Sequence, residues 1–357
     1  MSLRMTYLFS IACIFLYYFF SRLFRGKTKA EGRIEIWQGK DRKVFFFLSA
    51  IHLLCVHAFT DHLSFPDNVN YYYAFRDILS YSFKEAAFTL TYYSKWGQGF
   101  VLLNYILSRI SEDPQILFVA CSCLFVPVVM WFLYKTAHYP LFSVCVFVLY
   151  PMMFFQSQYV LRQHLASAFL LIALYFINRD ARKALFVSVA AFLIHPSAIA
   201  FFPFFLWNRI DLSNKIAARS ALFYGSFFIV AARLLIGKIL SFFPRFDYDN
   251  TGATNIVPLV LLVSLFLIHF FSGSYKKQYG NTTKTILNYL SYGAVVAIFS
   301  LGLPGGGRLC NYFIYVLPVA VPLLLKNKKM SMIKFLYMGG FMLIAIIMLR
   351  TNILLYS

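Results

Sequence analysis

The chain has 357 residues, of which 61% are apolar and only 13% are charged, and its formal net charge is +20. Soluble domains carry about 25% charged residues, so this composition excludes an ordinary soluble protein. Long apolar runs recur along the whole sequence, and in hydrocarbon a helix satisfies its own backbone polar groups. We therefore predict an all-α polytopic integral membrane protein with about 11–12 transmembrane or half-membrane helices.

The positive charge lies mainly in short loops between apolar runs, where Lys and Arg set membrane topology and attract anionic headgroups. We therefore expect no nucleic-acid binding. Residues 22–43 contain eight Lys or Arg against three Asp or Glu, which predicts a cytoplasmic loop. The six cysteines lie in or beside apolar runs and are typical of small buried hydrophobes. They indicate neither a disulfide framework nor a metal site, and we expect no cofactor.

Residues 61–97 form the longest polar segment, and their alternating pattern predicts an external loop with short amphipathic helices in the interface. Asp61 and Asp67 in this loop are candidate general bases. The alternative is that at least one of them caps a helix, because Asp favours N-caps. Tyr71, Trp96 and the neighbouring aromatic residues are expected to form an interfacial belt, with stacking on sugar rings as the alternative.

The next apolar stretch, residues 98–110, is short and contains Asn104 and Arg109. We predict an interfacial or re-entrant helix there. This interpretation leaves three crossings between the external loop and the basic segment 178–183, which is predicted to be cytoplasmic.

A single long apolar stretch over residues 184–207 is interrupted by His195 and Pro196. Proline ends or kinks a helix, so we predict a broken helix or re-entrant pair whose two halves meet at His195. Broken helices are where many membrane proteins build binding sites. The alternative is that the basic segment 207–219 is external, against the topology that its charge indicates.

Histidine suits proton transfer near neutral pH, so His195 is a candidate general base. The alternative role for its imidazole is to cap carbonyl groups freed by the break. His57 and Asp61 fall four residues apart, a spacing that brings two side chains to one helix face. The two could act as an acid/base pair or form a simple interfacial hydrogen bond, and we expect the hydrogen bond.

Two arginines lie at the mouths of apolar segments. Arg162 opens the run 161–177, and Arg308 follows Gly305–Gly307. An intramembrane charge usually has an anionic partner, a water-filled cavity or an exit to the interface. The arginine fork binds phosphate oxygens bidentately, and the glycines offer backbone N–H groups. The alternative is that each arginine snorkels or pairs with a carboxylate. With the candidate bases, both arginines are predicted on the external side, around one cavity.

Five sequence segments follow one another in a characteristic order. They are Asp67–Tyr73, Gly99–Asn104, Leu161-Arg162-Gln163, His195-x-Ser197-Ala198, and Arg308 before Asn311–Tyr315. The order and spacing over about residues 60–325 resemble the EpsG family of Wzy-type bacterial polysaccharide polymerases. The family often has a Glu-Pro pair before Gly-Phe, where this chain has Trp96-Gly97-Gln98-Gly99.

The resemblance implies a metal-independent glycosyltransferase that polymerises undecaprenyl-diphosphate-linked oligosaccharide repeat units, as in O-antigen or exopolysaccharide synthesis. The growing chain would leave its lipid diphosphate for the terminal sugar of a new lipid-linked unit, at the periplasmic face of the bacterial inner membrane. The implied partners are lipid-linked donor and acceptor, membrane lipid, and a chain-length regulator. The candidate catalytic residues are His195, Asp67 and Asp61, and the candidate substrate-binding residues are Arg162, Arg308, Gln163, Tyr71 and Arg76.

Two other functions fit a membrane protein of this composition. One is a glycosyltransferase that adds single sugars from a lipid monophosphate, and the other is a flippase for a lipid-linked oligosaccharide. The pair of arginines favours a diphosphate and thus polymerisation. Residues 1–357 show no linker or repeat, which predicts one polytopic membrane domain.

Overall fold

The computed structural model describes residues 3–24, 39–61, 63, 65–92, 96–210, 281–300, 306–324 and 339–350. Every regular element in these ranges is helical, which confirms the predicted all-α class. The helical stretches Met5–Arg22 and Gln115–Thr136 are long and apolar enough to cross a membrane. The protein is thus an all-α membrane protein. The number of spans stays a prediction, because residues 211–280 lie outside the described part.

Contacts divide the chain into two units, Met1–Pro196 with Met330–Ser357, and Ser197–Lys329. The single-domain arrangement stays a prediction, and each unit is described by itself. The first unit contains α1 (Leu3–Arg22), α2 (Lys40–Ala58), α3 (Pro66–Ile78), α4 (Phe83–Tyr92), α5 (Gln98–Ser108), α6 (Gln115–Thr136), α7 (Pro140–Leu149), α8 (Phe154–Ser157), α9 (Leu161–Phe176) and α10 (Ala181–Ile194).

Helices α2 and α6 are antiparallel, and a polar contact ties each end of the pair. At one end the Arg42 guanidinium donates to the carbonyls of Tyr134 and Ala137, the latter at 2.8 Å. At the other end Gln115 Nε2 donates to the Ala58 carbonyl at 2.8 Å. A cation at a helix C-terminus is favourable because it meets unpaired carbonyls, so Arg42 stabilises the end of α6.

Helix α1 packs on α2 and is joined to it by buried or half-buried polar groups. His52 contacts Tyr17 Oη through Nδ1 at 3.3 Å and Ser10 Oγ through Nε2 at 3.1 Å. Near the loop that joins these helices, Arg22 lies 3.7 Å from Asp41. This ion pair and the basic loop therefore mark the same end of the helix pair, which the sequence predicts to be cytoplasmic.

Between α2 and α6 the chain forms three short helices, α3 to α5, rather than a span. Ser82 and Glu85 form a capping box at the start of α4: Glu85 accepts from the Ser82 amide at 2.8 Å and Ser82 accepts from the Glu85 amide at 3.3 Å. Arg109, just after α5, donates to the carbonyl of Leu79 at 3.1 Å. Helix α5 has 11 residues, too few to cross a bilayer.

Helices α9 and α10 form an antiparallel hairpin. The Asp180 carboxylate caps α10 by accepting from the Lys183 amide at 3.1 Å. The helix ends at Ile194, and His195 has extended backbone dihedrals, because Pro196 supplies no amide hydrogen. The segment that follows begins as a 3-10 helix, Pro196–Phe201, and the broken helix or re-entrant pair over residues 184–207 stays a prediction.

The second unit contains α11 (Phe204–Trp207), α12 (Asn281–Ser300), α13 (Gly306–Ile314) and α14 (Leu317–Leu324). Ser197 Oγ lies 2.7 Å from Tyr312 Oη, and Tyr292 Oη donates to the Ala200 carbonyl at 2.7 Å. These bonds hold the 3-10 segment against α12 and α13. One more helix, α15 (Gly339–Arg350), belongs to the first unit.

Candidate functional site

Arg162 lies in the first turn of α9 and is held by aromatic side chains. Its Nε donates to Tyr71 Oη at 3.3 Å. Its guanidinium carbon lies 5.8 Å from the ring centre of Tyr71 and 5.3 Å from that of Trp96. An aromatic face attracts a cation through its quadrupole, and these two contacts hold the guanidinium without cancelling its charge.

Packing of α3 against the start of α5 builds this aromatic cage. The ring centres of Tyr71 and Trp96 are 5.4 Å apart, and Phe100 lies 5.8 Å from Tyr71 and 5.3 Å from Trp96. All three rings are buried. The Trp96 amide also donates to the Leu90 carbonyl at 3.0 Å, which fixes the chain between α4 and α5. The expectation of an interfacial belt is therefore wrong for Tyr71 and Trp96.

The Tyr71 hydroxyl is a proton donor at neutral pH. Burial raises the pKa of the Tyr71 phenol, and the nearby Arg162 guanidinium acts in the opposite direction. The phenol oxygen already accepts a hydrogen bond from Arg162. The phenol hydrogen is thus available for an oxygen on a bound ligand.

The end of α10 lies against the start of α5, so His195 borders the same cage. A Cβ placed on Gly97 would come within 2.3 Å of the Leu193 carbonyl oxygen and 2.5 Å of the Ile194 carbonyl oxygen. Only glycine permits that approach. His195 also interacts electrostatically with His164 in the first turns of α9. The structure thus brings His195, Trp96 and Arg162 into one region.

His57 is buried, and both of its ring nitrogens contact serine hydroxyls. Nδ1 lies 2.7 Å from Ser122 Oγ, and Nε2 lies 2.9 Å from Ser157 Oγ. Asp61 is exposed and accepts from the Leu63 amide at 3.2 Å. The predicted His57–Asp61 hydrogen bond is wrong, because α2 ends at Ala58 and His57 points into the helix packing.

The contacts of His57 place Arg162 at a defined end of the helices. His57 lies one residue before the end of α2, and Ser157 lies four residues before the start of α9. The start of α9 is therefore at the end of α2 opposite the basic loop 22–43. If that loop is cytoplasmic, as its charge predicts, Arg162 lies on the external side.

The other predicted site residues of the first unit occupy different environments. Asp67 is exposed in the first turn of α3 and acts electrostatically on Tyr71. Asp67 is not the N-cap of α3, because Phe65 takes that position before Pro66. Arg76 is exposed in the last turn of α3. Gln163 is buried on the core side of α9.

Arg308 belongs to α13 in the second unit. Its side chain and residues 301–305, including Gly305, lie outside the described part of the chain. Its predicted role therefore stays a prediction.

Sequence reasoning assigned no site role to two buried amide residues, Asn68 and Gln158. Asn68 Nδ2 donates to the backbone carbonyl of Gln158 at 2.8 Å, and Gln158 precedes Arg162 by four residues. Both residues are at most 1% exposed. For Asn68 the sequence did offer a signal, because this polar amide lies three residues before Tyr71, on the same face of an amphipathic helix.

Comparison with curated proteins finds no match, and comparison with solved structures finds none either. A family model described as the EpsG family matches residues 43–357. This match covers most of the chain, including the aromatic cage, Arg162 and His195. The chain therefore belongs to the EpsG family.

Proposed function

We propose that this protein polymerises undecaprenyl-diphosphate-linked oligosaccharide repeat units at the periplasmic face of the bacterial inner membrane. Membership of the EpsG family supports a membrane enzyme of the polysaccharide-polymerase type. The observation that carries the finer proposal is the Arg162 guanidinium, which the rings of Tyr71 and Trp96 hold beside the end of α10.

The leaving group in this reaction is a lipid diphosphate, which needs positive charge and hydrogen-bond donors where its negative charge develops. Arg162 supplies the charge in a fixed orientation, because two aromatic rings restrict it. The Tyr71 hydroxyl supplies a second donor. Arg308 is the second candidate for the diphosphate on the basis of sequence.

The acceptor is a hydroxyl of the terminal sugar on a second lipid-linked unit. Its oxygen attacks the anomeric carbon of the growing chain, and the bond from that carbon to the phosphate oxygen breaks. The hydroxyl proton passes to a base, for which His195 is the leading candidate. Asp67, exposed one turn before Tyr71, is the alternative base, and Asp61 is the other carboxylate in that segment.

The test is the length distribution of surface polysaccharide in cells that lack the gene and carry a variant copy. Arg162→Ala should abolish the ladder of long chains, because loss of one such donor lowers the rate by about 10²–10³-fold. Arg162→Lys should restore it only weakly, since an ammonium group lacks the bidentate fork. Arg308→Ala tests the second arginine in the same assay.

Arg179→Ala is the matched control. The guanidinium carbon of Arg179 also lies over an aromatic ring, 3.9 Å from the ring centre of Tyr175, but Arg179 is exposed beyond the opposite end of α9. This variant should restore the full ladder. A full ladder with Arg162→Ala, at normal membrane abundance, would refute the assignment of the diphosphate site. A deletion that changes the composition of the repeat unit would instead indicate addition of single sugars.

A further inference from the structure

The amide of Gln158 is buried without a hydrogen-bond partner. The residue is 1% exposed, and neither Nε2 nor Oε1 has a partner within the described part of the protein. Asn68 is 0% exposed, and its Oδ1 is also unpartnered there. A buried polar group without a partner costs stability, so these atoms call for a ligand or ordered water.

The two amides are neighbours. Asn68 Nδ2 donates to the Gln158 backbone carbonyl at 2.8 Å, which brings Asn68 Oδ1 close to the start of the Gln158 side chain. Tyr71 follows Asn68 by three residues on α3, and Tyr71 bonds Arg162 at 3.3 Å. Asn68 therefore lies one helical turn from the residue that bonds Arg162, and its own bond to the Gln158 backbone joins Gln158 to the same part of the fold.

The chemistry of the unpartnered atoms selects the ligand group. Two of them, Asn68 Oδ1 and Gln158 Oε1, are acceptors, and Gln158 Nε2 is a donor. A phosphate at neutral pH offers mainly acceptors, so carbonyl oxygens do not suit it. A sugar hydroxyl both donates and accepts, and an acetamido group carries one N–H and one carbonyl. The amides thus fit a saccharide, whereas Arg162 fits a phosphate.

We propose that Gln158 and Asn68 bind the hydroxyl or acetamido groups of the sugar that is attached directly to the lipid diphosphate. The proposal rests on the proposed function, because it places the diphosphate at Arg162. It assigns the two parts of the ligand to separate groups: Arg162 and Tyr71 bind the diphosphate, and the two amides select the first sugar.

The test measures binding of two lipids to purified protein in detergent by native mass spectrometry. One probe is undecaprenyl diphosphate, and the other is the lipid-linked oligosaccharide purified from cells that lack this gene. The variant is Gln158→Met, which keeps an unbranched side chain of similar length and removes the donor and the acceptor. Gln115→Met is the matched control, because the Gln115 amide is already bonded to the Ala58 carbonyl.

Gln158→Met should weaken binding of the sugar-carrying lipid by about tenfold to hundredfold, as expected for lost hydrogen bonds in a buried site. Binding of undecaprenyl diphosphate should not change. The melting temperature should stay the same or rise, since the variant removes an unpartnered buried amide. Gln115→Met should leave the affinities for both lipids unchanged. If Gln158→Met does not fold, Gln158→Leu is measured in its place.

Equal affinities of wild type and variant for both probes would overturn the proposal. If Gln158→Met weakened binding of both lipids equally, the proposal would also be overturned, because Gln158 would then act by positioning Arg162. A wild-type protein that binds neither lipid would instead overturn the proposed function, so the two failures are distinguishable.

Discussion

Among the described glycines of the candidate site, Gly97 lies closest to neighbouring backbone, that at the end of α10. Alanine substitutions at glycines with different amounts of space should therefore have effects of different size. In Gly97→Ala the new Cβ would lie 2.3 Å and 2.5 Å from two backbone oxygens, those of Leu193 and Ile194. Ordinary contact needs about 3.5 Å, so the start of α5 and the end of α10 must separate by roughly 1 Å. Backbone atoms of a helix cannot rotate aside as a flexible side chain can.

We expect Gly97→Ala to destabilise the protein by about 1–3 kcal/mol, the usual cost of overpacking. The same displacement moves Trp96 relative to His195. Because a shift of about 1 Å in a catalytic group can cost about 100-fold in rate, the polysaccharide ladder should shorten or disappear. The measurements are thermal unfolding in detergent and gel analysis of polysaccharide from complemented cells.

Alanine substitutions at two further glycines provide the comparison with Gly97→Ala. In Gly99→Ala the nearest atoms, which belong to Leu193, lie at 3.1 Å, so a small adjustment suffices and the loss should be smaller. In Gly340→Ala the Cβ meets nothing within 4 Å, so stability should not fall. If Gly97→Ala matched Gly340→Ala in both stability and polysaccharide length, the described packing of α5 on α10 would be wrong.

Three other predictions concern the described helices. His57→Ala removes hydrogen bonds with two buried serines and should lower stability by about 2 kcal/mol, measured by thermal unfolding; an unchanged melting temperature would contradict this. Asp180→Ala removes the cap of α10, so amide hydrogen exchange at Lys183 should accelerate. Bonds from Ser82 lower the pKa of the Glu85 carboxyl, so its stabilisation of α4 is present at neutral pH and lost below about pH 4. Hydrogen exchange of α4 against pH measures that loss, and Glu85→Gln should flatten the profile.

Part of the fold was predictable from composition and from local sequence patterns. Low charge and long apolar runs predicted the all-α membrane class, which the structure confirms. The end of α10 at Ile194 follows from a local cause, because Pro196 cannot donate the next helical hydrogen bond. The continuation as a 3-10 helix did not follow from the same signal, since it depends on bonds such as that between the hydroxyls of Ser197 and Tyr312.

The environment of Arg162 was not predictable, because it depends on residues that are distant in sequence. The charge of the arginine and its position at a helix mouth marked it as a candidate. No local sequence pattern indicated that Trp96, 66 residues earlier, would pack against it. The Arg162 guanidinium carbon lies 5.3 Å from the Trp96 ring centre. The sequence pattern indicated a belt for Trp96 and Tyr71 because tyrosine and tryptophan favour the interface. Packing of α3 on α5 buries both instead.

The contacts of Arg162 bear on its role in a way that composition could not. An aromatic ring attracts the cation without neutralising it, so these contacts leave the charge able to act on an anion. The rings also restrict the guanidinium, so less side-chain entropy is lost when a phosphate binds. Asn68 Oδ1 and both polar atoms of the Gln158 side chain have no partner in the described part of the chain, at a cost in stability that packing alone would not require. A caged arginine in the same part of the fold as unsatisfied amides is the arrangement expected of a site that binds an anionic group and a polar, uncharged group together.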